Sequence, residues 1–242
     1  METKTSNYSY TSINHTDDNE TTSRRYLAQV FIWMFIAMGV SAAVAFTFYL
    51  NLNLMALIIS PTGFTPLGYV AVFAPLVFSL VINFGFNKIS YPVMVVIFLT
   101  YAATIGITFS IFGLIYTGAS IFAMFVSSAL LFAAMAVGGY KTSMDLTKFG
   151  SIMYMMFVGA FIASFVNFFL GSAQFDYIVS YVWVAAMIGL TAYYMQMLKR
   201  IGAGLEFGNE ESKKLVIIGA FILYTTFINL FMSMLRLFGR RR

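Results

Sequence analysis

Few side chains in this sequence could do acid–base, nucleophilic or metal chemistry. There is no cysteine, and the single histidine, His15, sits in a polar N-terminal stretch. Disulfides, thiolate nucleophiles and cysteine metal sites are therefore excluded, and a histidine-rich metal centre has no material. Neither an HExxH pair nor a phosphate-binding glycine loop occurs. The expectation is a protein without catalytic residues, cofactor or resident metal. What remains is polar but uncharged. Thr100, Thr104 and Thr108 fall at i, i+4 and i+8, one face of a helix. Asn83, Asn167 and Asn229 stand inside apolar runs, Tyr193, Tyr194 and Gln196 cluster near the end of another, and Tyr224, Thr225 and Thr226 lie in the middle of the last. In apolar helices such groups either hydrogen-bond between helices, at about 0.6–2 kcal/mol each, or line a polar pore. On the second reading Tyr194, Thr226, Gln196, Asn229 and Thr104 are the gate or pore candidates.

The elements that must carry these residues follow from composition. Of 242 residues, 60% are hydrophobic and only 10% charged, against about 25% charged in soluble domains. Too little polar surface exists to face water, so the bilayer is the expected solvent and partner. A spanning helix needs about 20 mostly apolar residues. Seven segments qualify: Tyr26–Leu50, Leu67–Phe86, Tyr91–Leu114, Gly118–Val137, Phe149–Gly171, Tyr177–Leu198 and Leu215–Leu235. Their apolar runs are continuous rather than alternating, which disfavours a β-barrel. The predicted fold class is all-α, a polytopic bundle of seven transmembrane helices. No Asp, Glu, Lys, Arg or His lies within any segment. Intramembrane ionisable groups mark proton relays and ion sites, so a proton-coupled pump or an intramembrane aspartyl protease is not expected.

Three regions result: a polar leader, 1–23, predicted to be disordered; the transmembrane domain, 24–239; and a basic tail, 240–242. The leader has no apolar core or small-residue cleavage site and is not read as a signal peptide. The net charge of +5 does not indicate nucleic acid, because the cations sit at helix ends, where headgroups lie. Lys4, Arg24, Arg25, Lys88, Lys141, Lys148, Lys199, Arg200, Lys213 and Lys214 occupy the leader and the even-numbered loops, and the odd-numbered loops carry no base. The positive-inside rule places the N-terminus in the cytosol. The tail, Arg240-Arg241-Arg242 after Arg236, opposes that rule: either the loops outvote it, or the last segment stops short of crossing. Small residues at four-residue spacing (Gly39 and Ala43, Gly106 and Ser110, Ala129 and Ala133, Gly159 and Ala163) are expected to let helices approach closely.

Several stretches together resemble the Bax inhibitor-1 family, in its bacterial YccA-like branch. They are Gly106-Ile107-Thr108-Phe109-Ser110, Tyr116-Thr117-Gly118-Ala119-Ser120-Ile121, the loop Gly138-Gly139-Tyr140-Lys141-Thr142-Ser143-Met144-Asp145-Leu146, Gly189 to Gln196, Tyr224 to Phe231, and Leu235-Arg236-Leu237-Phe238-Gly239. They run in order from about Tyr26 to Gly239. The resemblance implies a bacterial inner-membrane, multi-pass protein with its last helix near the centre. It also implies a pH-sensitive calcium leak or, in some bacteria, modulation of a membrane protease. The leak is tied to two intramembrane aspartates, one in an aromatic-Asp-x-Gln motif and one in an Asp-Phe pair. Here Tyr194 and Thr226 stand at those positions, with Gln196 and Phe227 kept. No arginine occurs between Arg25 and Arg200 to latch such a carboxylate.

Two nearby carboxylates in a low-dielectric site titrate as a unit and can switch near neutral pH. A phenol, with a reference pKa of about 10, and a threonine hydroxyl cannot. Two functions stay open: a passive leak for calcium or another small cation whose di-aspartate sensor is replaced, and a non-conducting modulator of a membrane protease or other membrane partner.

Overall fold

The computed structural model describes residues 7–60, 63–85, 88–206 and 208–242, with side chains described from residue 19 onward outside 72 and 83–85. The chain is a bundle of seven long apolar helices: α1 (Asn7–Leu50), α3 (Pro66–Gly85), α4 (Tyr91–Ile115), α5 (Gly118–Lys141), α6 (Thr147–Leu170), α7 (Ala173–Ala203) and α8 (Glu210–Phe238). A five-residue helix, α2 (Leu52–Ala56), and a two-residue hairpin, β1 (Ile59–Ser60) with β2 (Gly63–Phe64), lie between α1 and α3.

Local signals set the boundaries. Thr117, Ser172 and Asn209 accept a backbone N–H from the first turn of α5, α7 and α8, each cap worth about 1 kcal/mol. Gly171 closes α6 in the left-handed region, at φ 62°, where glycine carries no Cβ penalty. Asn51 caps α2 with its side-chain oxygen, so the uncharged first loop is folded rather than slack. Asp176 falls in the first turn of α7 and Arg200 in its last, both favourable to the helix dipole.

One helix organises the others. α8 packs against α1, α4, α5 and α7, whereas α3 rests on α4 and α6 on α7 at the two edges. The core follows this order. Tyr224, Leu223, Ile217, Ala220 and Leu230 of α8 are fully buried, against Tyr26 and Val30 of α1 and Phe98 and Ala102 of α4.

The leader, expected to be disordered, is helical from Asn7 and continuous with the first span, and Ser23 is buried, its hydroxyl donating to the Lys199 carbonyl at 2.9 Å. The composition of 1–23 cannot support a core of its own, but it does not need one, because an existing span nucleates the helix. Residues 1–6 lie outside the described residues. Of the two readings of the basic tail, the structure fits the one in which the last segment runs through the whole bundle. At one end, Glu210 of α8 accepts the Tyr91 N–H of α4 at 2.9 Å. At the other, the tail is stitched to the α4–α5 turn: Thr117 N–H donates to Arg240 O (3.1 Å), Arg242 N–H to Ile115 O (2.9 Å) and Arg240 N–H to Ser120 Oγ (2.7 Å). Since α4 joins those two ends, α8 runs the full thickness, and the tail arginines sit opposite the basic loops.

Of the four small-residue pairs, Gly106 with Ser110 makes the expected close contact. A Cβ on Gly106 would meet the Ser41 carbonyl at 2.6 Å, and Ser110 is buried. Gly39 and Gly159 have open space around them, and Ala129 and Ala133 line a groove instead. A close approach missing from that set is Gly139, where a Cβ would strike the carbonyl of Ala192 on α7.

Candidate functional site

At the middle of the bundle, α1, α4 and α8 meet around one polar contact. Ser41 Oγ lies 2.6 Å from Tyr224 Oη, 2.7 Å from the Ala102 carbonyl and 3.0 Å from the Ala37 carbonyl. Serine has a single hydroxyl proton, and carbonyls only accept. Ser41 therefore donates to a carbonyl, and Tyr224 donates to Ser41. Tyr101 Oη and Thr225 Oγ1 lie 3.4 Å apart alongside. Aromatic rings enclose this core edge-on: Tyr224 meets Phe98 and Tyr101, each at 5.9 Å, and Phe221 meets Tyr101 at 5.0 Å and Phe98 at 6.2 Å. Towards α5, Phe227 meets Phe125 and Phe132 at 5.5 and 5.6 Å. The arrangement can hold three helices in register. It carries no charge to attract an ion and no group that titrates near neutral pH.

The residues singled out from sequence do not converge here. Thr226 is buried, and its hydroxyl donates to Ile222 O of its own helix at 2.7 Å. Thr104 does the same to Tyr101 O at 2.7 Å, and Thr100 and Thr108 bond back to Val96 and Thr104. The threonine stripe thus lies beside the buried face of α4, which is Met94, Phe98, Tyr101, Ala102 and Ile105. Asn229 is half-buried, its carbonyl taking the Ser233 hydroxyl. Tyr194 is half-buried against Tyr193, with ring centroids 5.4 Å apart. Among the described residues no hydrogen bond joins Tyr194 to Thr226. The Asn83 side chain lies outside the described residues, and Asn167 accepts the Ser172 N–H to close the α6–α7 turn.

Gln196 has a definite occupation elsewhere. Its Nε2 donates to Met144 O at 2.7 Å and its Oε1 accepts the Leu146 N–H at 2.9 Å. One buried amide thus pins the α5–α6 loop to α7. Arg200, one turn on, bonds Asp145 Oδ1 at 2.9 Å. The Thr147 hydroxyl and N–H, then Arg200, hold the Asp145 carboxyl down at about 2. Lys199 Nζ donates to Tyr140 O at 2.9 Å and lies 4.5 Å over that ring, closing the end of α5. At the start of α8, the Tyr91 N–H and then Lys214 draw the Glu210 carboxyl below its ordinary range. This end of the bundle is a set of clamps between side chains and backbone carbonyls or N–H groups.

Sequence reasoning missed Ser41 and Tyr101. Ser41 stands in a run of small residues that reads as packing alone, and Tyr101 adjoins the threonine stripe but faces inward.

Residues 23–242 match the family described as inhibitor of apoptosis-promoting Bax1. The inner membrane protein YbhL of Escherichia coli strain K12 is 37% identical over 218 residues, covering 90% of this chain and 92% of the relative. An uncharacterized protein of Rickettsia prowazekii, RP147, is 36% identical over 90% of this chain and 91% of its own. An uncharacterized membrane protein of Streptococcus pyogenes, SpyM3_0260, is 33% identical over 86% and 90%. With a seven-helix bundle centred on its last helix and a family match from Ser23 to its end, the chain belongs to the Bax inhibitor-1 family of integral membrane proteins.

Proposed function

We infer that this protein is a non-conducting member of its family, seated in the bacterial inner membrane with its basic loops in the cytosol, that acts on other membrane components rather than passing ions. The observation that carries this reading is the interior around Tyr224. The hydroxyls there are spent on carbonyls or on one another, and aromatic edges pack α8 against α4 and against α5. Calcium is held by several oxygens, usually carboxylates, and no carboxylate lies in any span. A membrane protease, the kind of partner implied by the sequence resemblance, is the first to test.

The test is calcium entry into liposomes holding the purified protein, at pH 6 and pH 8. The expected result is a flux equal to that of empty liposomes at both values. A protein-dependent flux that rises steeply with a pH step would overturn the reading and restore the calcium leak, with a sensor other than Tyr194 and Thr226.

A further inference from the structure

α1 and α5 both flank α8 but barely touch one another. The gap between them is a groove with two lobes, of 660 and 520 Å³. Both lobes are bounded by Met38, Phe125 and Phe227. The outer rims are side chains on the lipid-facing surface: Phe35 is 63% exposed and Val137 52%, so the groove opens sideways into the bilayer. The walls of the smaller lobe are apolar, and its mouth carries Arg24 and Lys141. No Asp or Glu lines either lobe. The nearest carboxylate bonded to a mouth cation is Glu20, 2.8 Å from Arg24 on the solvent side.

We propose that the smaller lobe is a binding site for an anionic glycerophospholipid, with an acyl chain in the groove between α1 and α5 and the phosphate between Arg24 and Lys141. Depth supports this occupant. Leu27 and Met38 line the lobe eleven residues apart on α1, about 17 Å at 1.5 Å per residue. One leaflet contributes roughly 15 Å of hydrocarbon. The lobe is therefore one leaflet deep, with its cations at headgroup level, where phosphate lies. The recess exists because Ala129 and Ala133 face it from α5, one turn apart. Lys199, held over Tyr140 beside the mouth, adds to the positive potential without being free to move.

The experiment is native mass spectrometry of the purified full chain in detergent, titrated with phosphatidylglycerol or phosphatidylcholine of identical acyl chains. One phosphatidylglycerol should be retained roughly tenfold more strongly than phosphatidylcholine, less than the ~30-fold of two free surface cations because Glu20 already engages Arg24. Glycerol 3-phosphate should not displace it, since the chain supplies the anchoring. The double variant Arg24→Gln with Lys141→Gln should lose the preference, and the exchange Arg24→Lys with Lys141→Arg should keep it. Lys141→Gln alone, at an exposed helix end, should weaken it about fivefold. Ala129→Phe should reduce retention of both lipids. Equal retention of the two lipids, or a preference that survives the double variant, would overturn the site. So would a photo-crosslinking residue in place of Val137 that captures a protein in native membranes instead of phospholipid.

Discussion

α8 and α6 have nearly the same mean hydropathy, 2.2 and 1.9 over their most apolar windows, yet 67% of that window is buried in α8 and 6% in α6. In a soluble protein such a difference would be written in the sequence as an apolar stripe against a polar face. In a bilayer the outer face is as apolar as the core, so hydropathy finds spans and cannot rank them. The two helices differ instead in how their small polar side chains are used. α8 carries Tyr224 bonded to Ser41 of α1, while α6 meets one neighbour, through buried Gly150 and Ala160 and the bond from Trp183 Nε1 to Ser164.

Substitutions can break this contrast. Tyr224→Ala empties a fully buried ring site among Phe98, Tyr101 and Ser41. It should cost about 3–5 kcal/mol, read as a large drop in the unfolding temperature of the detergent-solubilised protein. Gln196→Leu removes both clamps on the α5–α6 loop and leaves the Leu146 N–H and the Met144 carbonyl without partners. A loss of about 1–3 kcal/mol is expected, visible first as faster hydrogen exchange across Thr142–Leu146. Tyr224→Phe keeps the ring and deletes only the hydroxyl, and Ser41 can still donate to Ala102. Its cost should stay near 0.6–2 kcal/mol, and a larger loss would mean that the hydroxyl pair holds α1 in place. Phe165→Ala on α6, at a position 62% exposed, exchanges ring–lipid contact for lipid–lipid contact and should change stability by less than about 0.5 kcal/mol. A loss as large as that of Tyr224→Ala would reveal a protein partner on α6.

The smallest effect concerns pH. The Asp145 carboxyl is held down at about 2 in the folded state. A depressed carboxylate contributes stability that is present above its unfolded value of about 4 and is lost as pH falls through 2. Between pH 8 and 6 it stays ionised, so unfolding of the Asp145→Asn variant should differ from the parent by an unchanging amount over that interval. A difference that grows between those values would identify Asp145 as a sensor.

Segment ends were legible where a cap or a glycine marks them. Gly118 opens α5 and Tyr91 opens α4 as expected, and Leu50 closes α1. The starts of α7 and α8 came four and five residues earlier than the apolar runs suggested, at Ala173 and Glu210, because helices continue past the hydrocarbon on polar residues capped by Ser172 and Asn209. The interior was less legible. Period alone placed Thr100, Thr104 and Thr108 on one face of α4 but could not say which face turns inward. A threonine that satisfies itself on its own helix needs no partner, so its presence predicts nothing about position. The polarity of Gln196 marks it in the sequence, but its partners are backbone atoms of Met144 and Leu146, which no side-chain pattern can announce.

The central place of α8 bears on how the molecule is made. The helix that α1, α4, α5 and α7 all lean on is made after all four of them, and Arg240 and Arg242, which lock its far end to the α4–α5 turn, are made later still. Six spans must therefore wait in the membrane around a vacant slot, and the polar hydroxyl of Ser41 must wait with them, until Tyr224 arrives. Any stop codon before Leu215 would leave a set of inserted helices with no common neighbour, a form that cellular quality control should remove rather than tolerate as a partial protein.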